Sequence, residues 1–150
     1  MKISIQADDF DTGAEIAALH ASADVGAVAS FLGCVRDNND DNNVGTLTLE
    51  HYPGMTEKAI AQIIDEAMAR WTLLDVTVIH RIGELHPTER IVLVAVSSAH
   101  RGEAFAACEF VMDYLKTRAP FWKKEVTPDG DRWVDARATD DEAAARWAEG

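Results

Sequence analysis

The sequence contains few cysteines, and their placement excludes two classes of small protein. Cys34 and Cys108 are the two cysteines of the 150-residue chain, and they form no C-x-x-C pair. This spacing argues against a disulfide framework and against a zinc ribbon. We therefore expect both thiols to act as small buried or half-buried hydrophobic side chains. The five histidines show neither H-x-H nor H-E-x-x-H spacing, so the sequence predicts no metal site.

Positive charge and long apolar runs are also scarce. The chain has 14 Lys and Arg against 26 Asp and Glu, which gives a formal net charge of −12. Because such a field repels phosphate backbones, nucleic-acid binding is disfavoured and an anion would need a local pocket. No apolar run approaches the ~20 residues that span a bilayer. The N-terminal segment MKISIQADDF is typical of a strand rather than a signal peptide, so we expect a cytoplasmic protein.

The length is typical of one domain, and strand-like segments alternate with helical ones. Alternating or apolar segments predict strands at 2–6, 26–35, 44–52, 76–83, 89–98 and 131–136. Helical spacing predicts two main helices, at 55–71 and 102–116. The order lacks the regular rhythm of a doubly wound sheet. We therefore predict one α+β domain over 1–150, with two main helices packed on a mostly antiparallel sheet.

Local signals add detail to this outline. Thr12 and Glu15 have capping-box spacing, which predicts a helix at 14–21, and Thr139 with Glu142 predicts a short C-terminal helix near 140–149. The polar stretch DNNDDNN predicts a mobile loop near 37–43. The residues expected to be buried on the two main helices are Ala59, Ile60, Ile63, Ile64, Ala67, Met68 and Trp71 on the first and Phe105, Cys108, Val111, Met112 and Leu115 on the second.

Three positions next to predicted strand ends are candidate binding residues. His100 and Arg101 lie where a strand ends and a helix begins, a place that favours anions. An ion pair of Arg101 with Glu103, or with another carboxylate of the acidic surface, explains the same residues equally well. Arg36 follows an apolar strand and precedes the polar loop, yet by itself it is typical of a solvated surface residue. Cys34 next to Arg36 has no general base at a known spacing, so a structural role is favoured over a nucleophilic one.

The strongest local signal is a concentration of cations between residues 113 and 125. Lys116, Arg118, Lys123 and Lys124 alternate there with apolar residues such as Phe121. Neighbouring cations and apolar walls both favour the neutral amine that a lysine needs to act as a nucleophile or base. Basic residues that merely complement a helix dipole are the alternative. The number of cations favours a site.

Several motifs in order resemble the large, catalytic subunit of molybdopterin synthase. They are F-L-G-C-V-R at 31–36, L-E-H-Y-P-G-M at 49–55, H-R-I-G-E-L at 80–85, S-A-H-R at 98–101, M-D-Y-L-K-T-R-A-P-F-W-K-K-E at 112–125 and D-R-W-V at 131–134. The resemblance implies an α/β-hammerhead type of fold. It also implies a central homodimer that binds, at each end, a small ubiquitin-like subunit with a C-terminal Gly-Gly thiocarboxylate, giving a heterotetramer.

The reaction implied by the resemblance is the transfer of two sulfurs to cyclic pyranopterin monophosphate, which forms the dithiolene of molybdopterin. Molybdenum enters at a later step, so the resemblance implies no metal and no cofactor. Position by position, Lys116 and Lys123 match catalytic lysines, which also contact the substrate. The other matched positions, which hold or border the anionic substrate, are Cys34, Val35, Arg36, His100, Arg101, Lys124 and Glu125.

Two other functions remain open at this point. A module that senses a phosphorylated metabolite would use Arg36, His100 and Arg101 without needing Lys116. A purely structural dimer subunit would use its cations only to pair with acidic groups. For the enzyme hypothesis, we expect Phe31, Met112 and Phe121 to form apolar walls around the partner's incoming tail.

Overall fold

The structure is a computed structural model. It describes residues 1–39, 42–43, 46–127, 130–134 and 138–148. In chain order the elements are β1 Lys2–Gln6, α1 Thr12–Leu19, β2 Ala27–Cys34, β3 Asn38–Asn39, β4 Asn42–Asn43, β5 Thr46–His51, α2 Met55–Arg70, β6 Asp75–Arg81, β7 Gly83–Leu85, β8 Arg90–Ser98, α3 Arg101–Arg118, β9 Phe121–Thr127, β10 Gly130–Val134 and α4 Ala138–Ala148. No described helix is long and apolar enough to cross a membrane.

The first sheet has the strand order β1-β6-β8-β2. β1 runs parallel to β6, whereas β6 and β2 both run antiparallel to β8. Side chains alternate along β8, so Val92, Val94 and Val96 pack under α2 and α3 while Leu93 and Ala95 join the α1 side. Because both faces of β8 are covered, its sequence is apolar without interruption.

The second sheet, in the order β10-β9-β5-β7, is antiparallel throughout. Leu47, Leu49 and Leu85 on its inner face form a separate buried cluster with Val35, which follows β2. The two sheets are therefore connected through the end of β2. A short antiparallel pair, β3 with β4, lies between β2 and β5 in the chain.

The α+β prediction, with two main helices on a mostly antiparallel sheet, is confirmed. Strands β1 and β8 and helix α2 lie within a residue of their expected bounds. β7 was not expected as a separate strand. The polar stretch near 37–43 includes β3 and β4, residues 40 and 41 lie outside the described residues, and its mobility stays a prediction.

Some expectations about side chains were wrong. Phe105 is 65% exposed, and Phe110, 1% exposed, takes its place in the core of α3. Met68 is 40% exposed. Helix α1 is capped by Asp11, whose carboxylate accepts a hydrogen bond from the Ala14 backbone at 3.0 Å, so Thr12 is already inside the helix. α4 begins at Ala138, ahead of Thr139.

The two cysteines differ, although both are free. Cys108 is buried against β8, as expected, and burial raises the pKa of its thiol to about 11. Cys34 is exposed, which corrects the expectation of a buried or half-buried thiol. It is exposed because β2 is an edge strand, with a register shift between Gly33 and Cys34.

Candidate functional site

Helix α3 separates the predicted binding residues into two groups. It begins just after β8 and runs back along that strand, since the Cys108 thiol donates to the Val94 carbonyl oxygen at 3.7 Å, midway along β8. Arg101 in the first turn and Lys116 in the last are therefore at opposite ends of the sheet. The rise of ~1.5 Å per residue places their Cα atoms about 22 Å apart.

The Lys116 end of α3 lies next to a stacked pair of rings. The His80 ring stacks on Phe121 with a centroid distance of 3.8 Å and an interplanar angle of 17°. Its Nδ1 is 2.8 Å from the Arg81 carbonyl oxygen. Since a carbonyl can only accept, Nδ1 carries the hydrogen and Nε2 is left as an acceptor.

The pKa of the His80 imidazole is affected by the charge of Lys116, which therefore lies nearby. Burial lowers the pKa of the His80 imidazole to about 4, the hydrogen bond to Arg81 opposes this shift, and the positive charges of Lys116 and His51 lower it further. At neutral pH the ring is therefore uncharged and adds no positive charge next to Lys116. The sequence predicts no role for His80, although this residue begins the H-R-I-G-E-L segment.

Strand β9 presents its residues on alternate faces. Phe121 packs on the main core, and Glu125 is 1% exposed, so both side chains point to the inner face. Lys123 lies two residues from each of them and therefore faces the same side. Trp122 is 45% exposed and lies on the outer face with Lys124, whose Nζ is 5.8 Å from the Trp133 ring centroid. Lys123 thus shares a face with the Phe121 ring, and Lys124 does not.

Arg118, the remaining cation of 113–125, has a structural partner. Its guanidinium lies 2.6 Å from the Glu66 carboxylate on α2 and 4.8 Å from the Tyr114 ring centroid. The four cations of this segment therefore do not form one cluster. Lys116 lies near His80, and Lys123 shares a face of β9 with Phe121.

The segment after β2 ends at the same side of the sheet as Lys116. Cys34 pairs with Arg90, the first residue of β8. The backbone of Val35 is fixed by two hydrogen bonds of 2.9 Å, to the carbonyl oxygen of Glu89 and from the N–H of Thr88. Val35 is buried, whereas Arg36 is exposed, so the anchored segment holds Arg36 at the mouth of this region.

His100 and Arg101 lie at the other end, at the N-terminus of α3. They line a concavity of about 480 Å³ together with Gly26, Ala99 and Gly102. Gly26 is needed there because a Cβ would lie 2.1 Å from the Ala99 carbonyl oxygen. Both His100 and Arg101 are exposed. The concavity therefore offers two cationic or hydrogen-bonding side chains beside free helix N–H groups.

The alternative ion pair between Arg101 and Glu103 is not formed. The Glu103 carboxylate accepts a hydrogen bond from the Thr72 backbone N–H instead. Within the described part of the chain, Arg101 makes no ion pair. No group of three His, Cys, Asp or Glu side chains that could hold a metal ion occurs among the described residues.

The three residues expected as apolar walls have different surroundings. Met112 is 9% exposed and belongs to the main core. Phe31 is 43% exposed on the edge strand β2, and Phe121 is partly buried against His80. Phe31 and Phe121 can therefore contact an incoming chain more readily than Met112.

Comparison with known proteins places these features in one family. The MoaE protein family matches residues 5–118. A protein from Ralstonia nicotianae named molybdopterin synthase catalytic subunit is 66% identical over 146 residues, covering 97% of this chain and 83% of the relative. The molybdopterin biosynthesis MoaE protein of Burkholderia ambifaria has a similar structure, with a TM-score of 0.84, 60% identity and coverage of 98% and 97% of the two chains.

A more distant structure shares the fold. It is a complex of subunits 1 and 2 of the molybdopterin-converting factor of Helicobacter pylori, with a TM-score of 0.71, 22% identity and coverage of 91% of this chain and 90% of that one. The family match extends from β1 to the last residue of α3 and includes Arg36, His100, Arg101 and Lys116. The chain therefore belongs to the MoaE family.

Proposed function

We propose that this chain is the catalytic subunit of a molybdopterin synthase, a sulfurtransferase of molybdenum cofactor biosynthesis. It would take sulfur from the thiocarboxylated C-terminus of a small ubiquitin-like subunit and transfer two sulfurs to cyclic pyranopterin monophosphate. The observation that carries the proposal is the position of Lys116 near the His80–Phe121 stack, with Lys123 on the same face of β9 as Phe121, in a member of this family. A cytoplasmic location is part of the same proposal.

Each residue of this group has a role that its position supports. Arg36, exposed after a fixed backbone segment, suits a charge-assisted hydrogen bond to the substrate anion. Lys123 holds the substrate from the inner face of β9. Lys116 acts on the reacting centre in one of two ways: it moves a proton during sulfur addition, or its amine attacks the partner's thiocarboxylate carbon, so that the C–S bond breaks and the sulfur leaves as the amide forms.

The proposal includes a homodimer because, within one chain, the cationic groups at the two ends of α3 are far apart. His100 and Arg101 are about 22 Å along α3 from Lys116, which exceeds the reach of a single small pterin phosphate. If both groups hold one substrate, the α3 N-terminus must come from a second copy. Each dimer would then contain two equivalent sites.

The small subunit is proposed as the second partner. The Helicobacter pylori neighbour is a complex of two subunits of the converting factor, and we extend that pairing to this chain. A flexible C-terminal tail would approach Lys116 past Phe31 and Phe121, whose partly exposed rings give it an apolar path.

The test is an assay of the purified chain with cyclic pyranopterin monophosphate and a thiocarboxylated small subunit. Mass spectrometry of the pterin should show the gain of two sulfurs. A small subunit without its last two glycines should give no product even where it still binds. If the pterin binds but gains no sulfur from the intact partner, the chain is a sensor rather than an enzyme, and the proposal is wrong.

A further inference from the structure

The segment L-E-H-Y-P-G-M, residues 49–55, runs from the end of β5 to the start of α2. Thr56, the next residue, is 0% exposed. Its Oγ1 accepts a hydrogen bond from the Tyr52 backbone N–H at 3.0 Å and donates one to the Pro120 carbonyl oxygen at 2.9 Å. A buried threonine on α2 is therefore joined directly to the residue that precedes β9.

The place of this hydroxyl follows from the pairing of β5 with β9. His51 pairs with Phe121 at the end of this antiparallel ladder, so the next pair in register would be Tyr52 with Pro120. Proline has no N–H and cannot donate to the Tyr52 carbonyl oxygen. The Thr56 N–H donates to that oxygen instead, at 2.9 Å, and the Thr56 hydroxyl relays the Tyr52 N–H to the Pro120 carbonyl. Thr56 thus extends the ladder by one pair through its own atoms.

The connection from α3 to β9 is a tight turn that presents the same carbonyl. α3 ends at Arg118, and the Phe121 N–H donates to the Ala119 carbonyl oxygen at 2.9 Å, which makes a three-residue turn centred on Pro120. A carbonyl can only accept and a hydroxyl has one hydrogen to give, so the hydrogen of Thr56 Oγ1 points to Pro120. This bond fixes the direction in which β9 leaves the turn.

The element that depends on this bond is β9 rather than α3. The side chains of Phe110, Val111 and Leu115 are buried in the main core and hold α3 independently of the turn. The strand β9 begins immediately after Pro120. Losing the contact at Pro120 would therefore displace the start of the strand relative to the end of the helix.

We propose that Thr56 is a positioning residue for sulfur transfer: by holding the Pro120 carbonyl, it fixes the start of β9 and thereby the position of Lys123 relative to Lys116. The inference rests on the proposed function. Because Thr56 is buried, it acts through the backbone and not by contact with the substrate. A displacement of ~1 Å in a reacting constellation can cost roughly 10²-fold in rate, so one hydroxyl at this point is enough to affect turnover.

The first test compares substitutions at Thr56. Thr56→Val removes the hydroxyl and should slow single-turnover sulfur transfer by roughly 10–10²-fold, measured with the pterin below saturation. Thr56→Ser keeps both hydrogen bonds and should stay within about twofold of the unaltered rate. The control is Thr77→Val, the same change at a 3% exposed threonine on β6, which should also keep its rate. Equal rates in Thr56→Val and Thr56→Ser, whether fast or slow, overturn the inference.

A second test asks whether Thr56 acts through Lys123. Thr56→Val should cost no more than Lys123→Ala, and in a Lys123→Ala background it should slow transfer by less than about twofold further. In an Arg36→Ala background it should have its full effect, because Arg36 is held by a different segment. A full further loss in the Lys123→Ala background shows that Thr56 acts by another route and overturns the inference.

The third test needs no activity. Amide hydrogen exchange of residues 121–125 should be roughly tenfold faster in Thr56→Val, because one hydrogen bond that holds the strand is gone, and should be unchanged in Thr56→Ser and Thr77→Val. If Thr56→Val does not fold, Thr56→Cys takes its place, since a thiol is a weaker donor. Unchanged exchange in the folded variant overturns the inference. If the unaltered chain transfers no sulfur, the proposed function fails, and the exchange result still decides whether Thr56 holds β9.

Discussion

At the scale of single residues, neighbours rather than residue type decide what each cation can do. Arg118 forms an ion pair with Glu66, and Lys124 lies over the Trp133 ring on the outer face of its strand. Lys116 instead lies near His80, an imidazole kept neutral by burial. A neutral ring places an apolar surface and a hydrogen-bond acceptor near Lys116 without adding a fixed charge.

The first prediction concerns Lys116. Replacement by Ala should lower single-turnover sulfur transfer by roughly 10²–10⁴-fold, the typical loss for a proton-transfer group. Lys116→Arg should fail as well, because arginine stays protonated. Lys123→Ala should be damaging to a smaller extent if its task is to hold the substrate. Lys58→Ala, which alters an exposed lysine on α2, is the control. Near-normal rates in Lys116→Arg would mean that Lys116 contributes only its positive charge.

The two cysteines provide a second prediction. Cys34→Ser should keep most of the activity because sulfur arrives on the partner's tail. Cys108→Ser should instead lower the free energy of unfolding by about 1–3 kcal/mol, because a hydroxyl replaces a buried thiol. Urea denaturation and the sulfur-transfer assay, performed on both variants, separate these effects. Loss of turnover in a folded Cys34→Ser variant would make that thiol part of the chemistry.

His80 gives a pH prediction whose sign follows from its lowered pKa. The folded chain holds the pKa near 4, whereas the unfolded chain takes up the proton near 6.5. The contribution to stability is thus complete above pH 6.5 and is lost as the pH falls towards 4. Its size is at most about 3 kcal/mol. Urea unfolding at pH 7 and pH 5 should show a smaller pH dependence in His80→Gln than in His20→Gln, the surface control. An equal pH dependence of unfolding in the two variants would contradict the lowered pKa of His80.

At the scale of secondary-structure elements, the spacing of apolar residues predicted where strands and helices begin and end better than it predicted which face of a helix is buried. Apolar alternation located β1 and β8 well, because burial on a sheet imposes a strict period of two. On α3, however, Phe105 and Phe110 both fit a plausible apolar stripe. The choice was decided by aromatic contacts that helical spacing does not contain: Phe110 makes edge-on contacts with Trp71, Tyr114 and Trp147.

This difference gives a prediction for α3. Phe110→Ala removes a fully buried ring and should cost about 3–5 kcal/mol of stability. Phe105→Ala, at a 65% exposed position of the same helix, should change stability by no more than about 0.5 kcal/mol. Thermal and urea unfolding of the two variants provide the measurement. Similar losses in both would mean that α3 packs through a different face.

At the scale of the whole molecule, the ordered motifs predicted the family, but residue spacing did not predict how the site is divided. The motif residues lie along one chain, and nothing in their order shows that α3 separates Arg101 from Lys116. That separation follows from the antiparallel course of β8 and α3, which is a property of topology. His80 was missed for the same reason, because its proximity to Lys116 arises from tertiary packing.

The strand order of the first sheet also has a consequence for biosynthesis. Both edge strands, β1 and β2, come from the N-terminal part of the chain, while their partners β6 and β8 follow much later. A nascent chain therefore releases the apolar β2 segment well before β8 is available to pair with it. Non-local pairing of this kind is slow to form. During translation, the apolar segment from Val25 to Val35 is thus without its partner strand until Ser98, the last residue of β8, has been made.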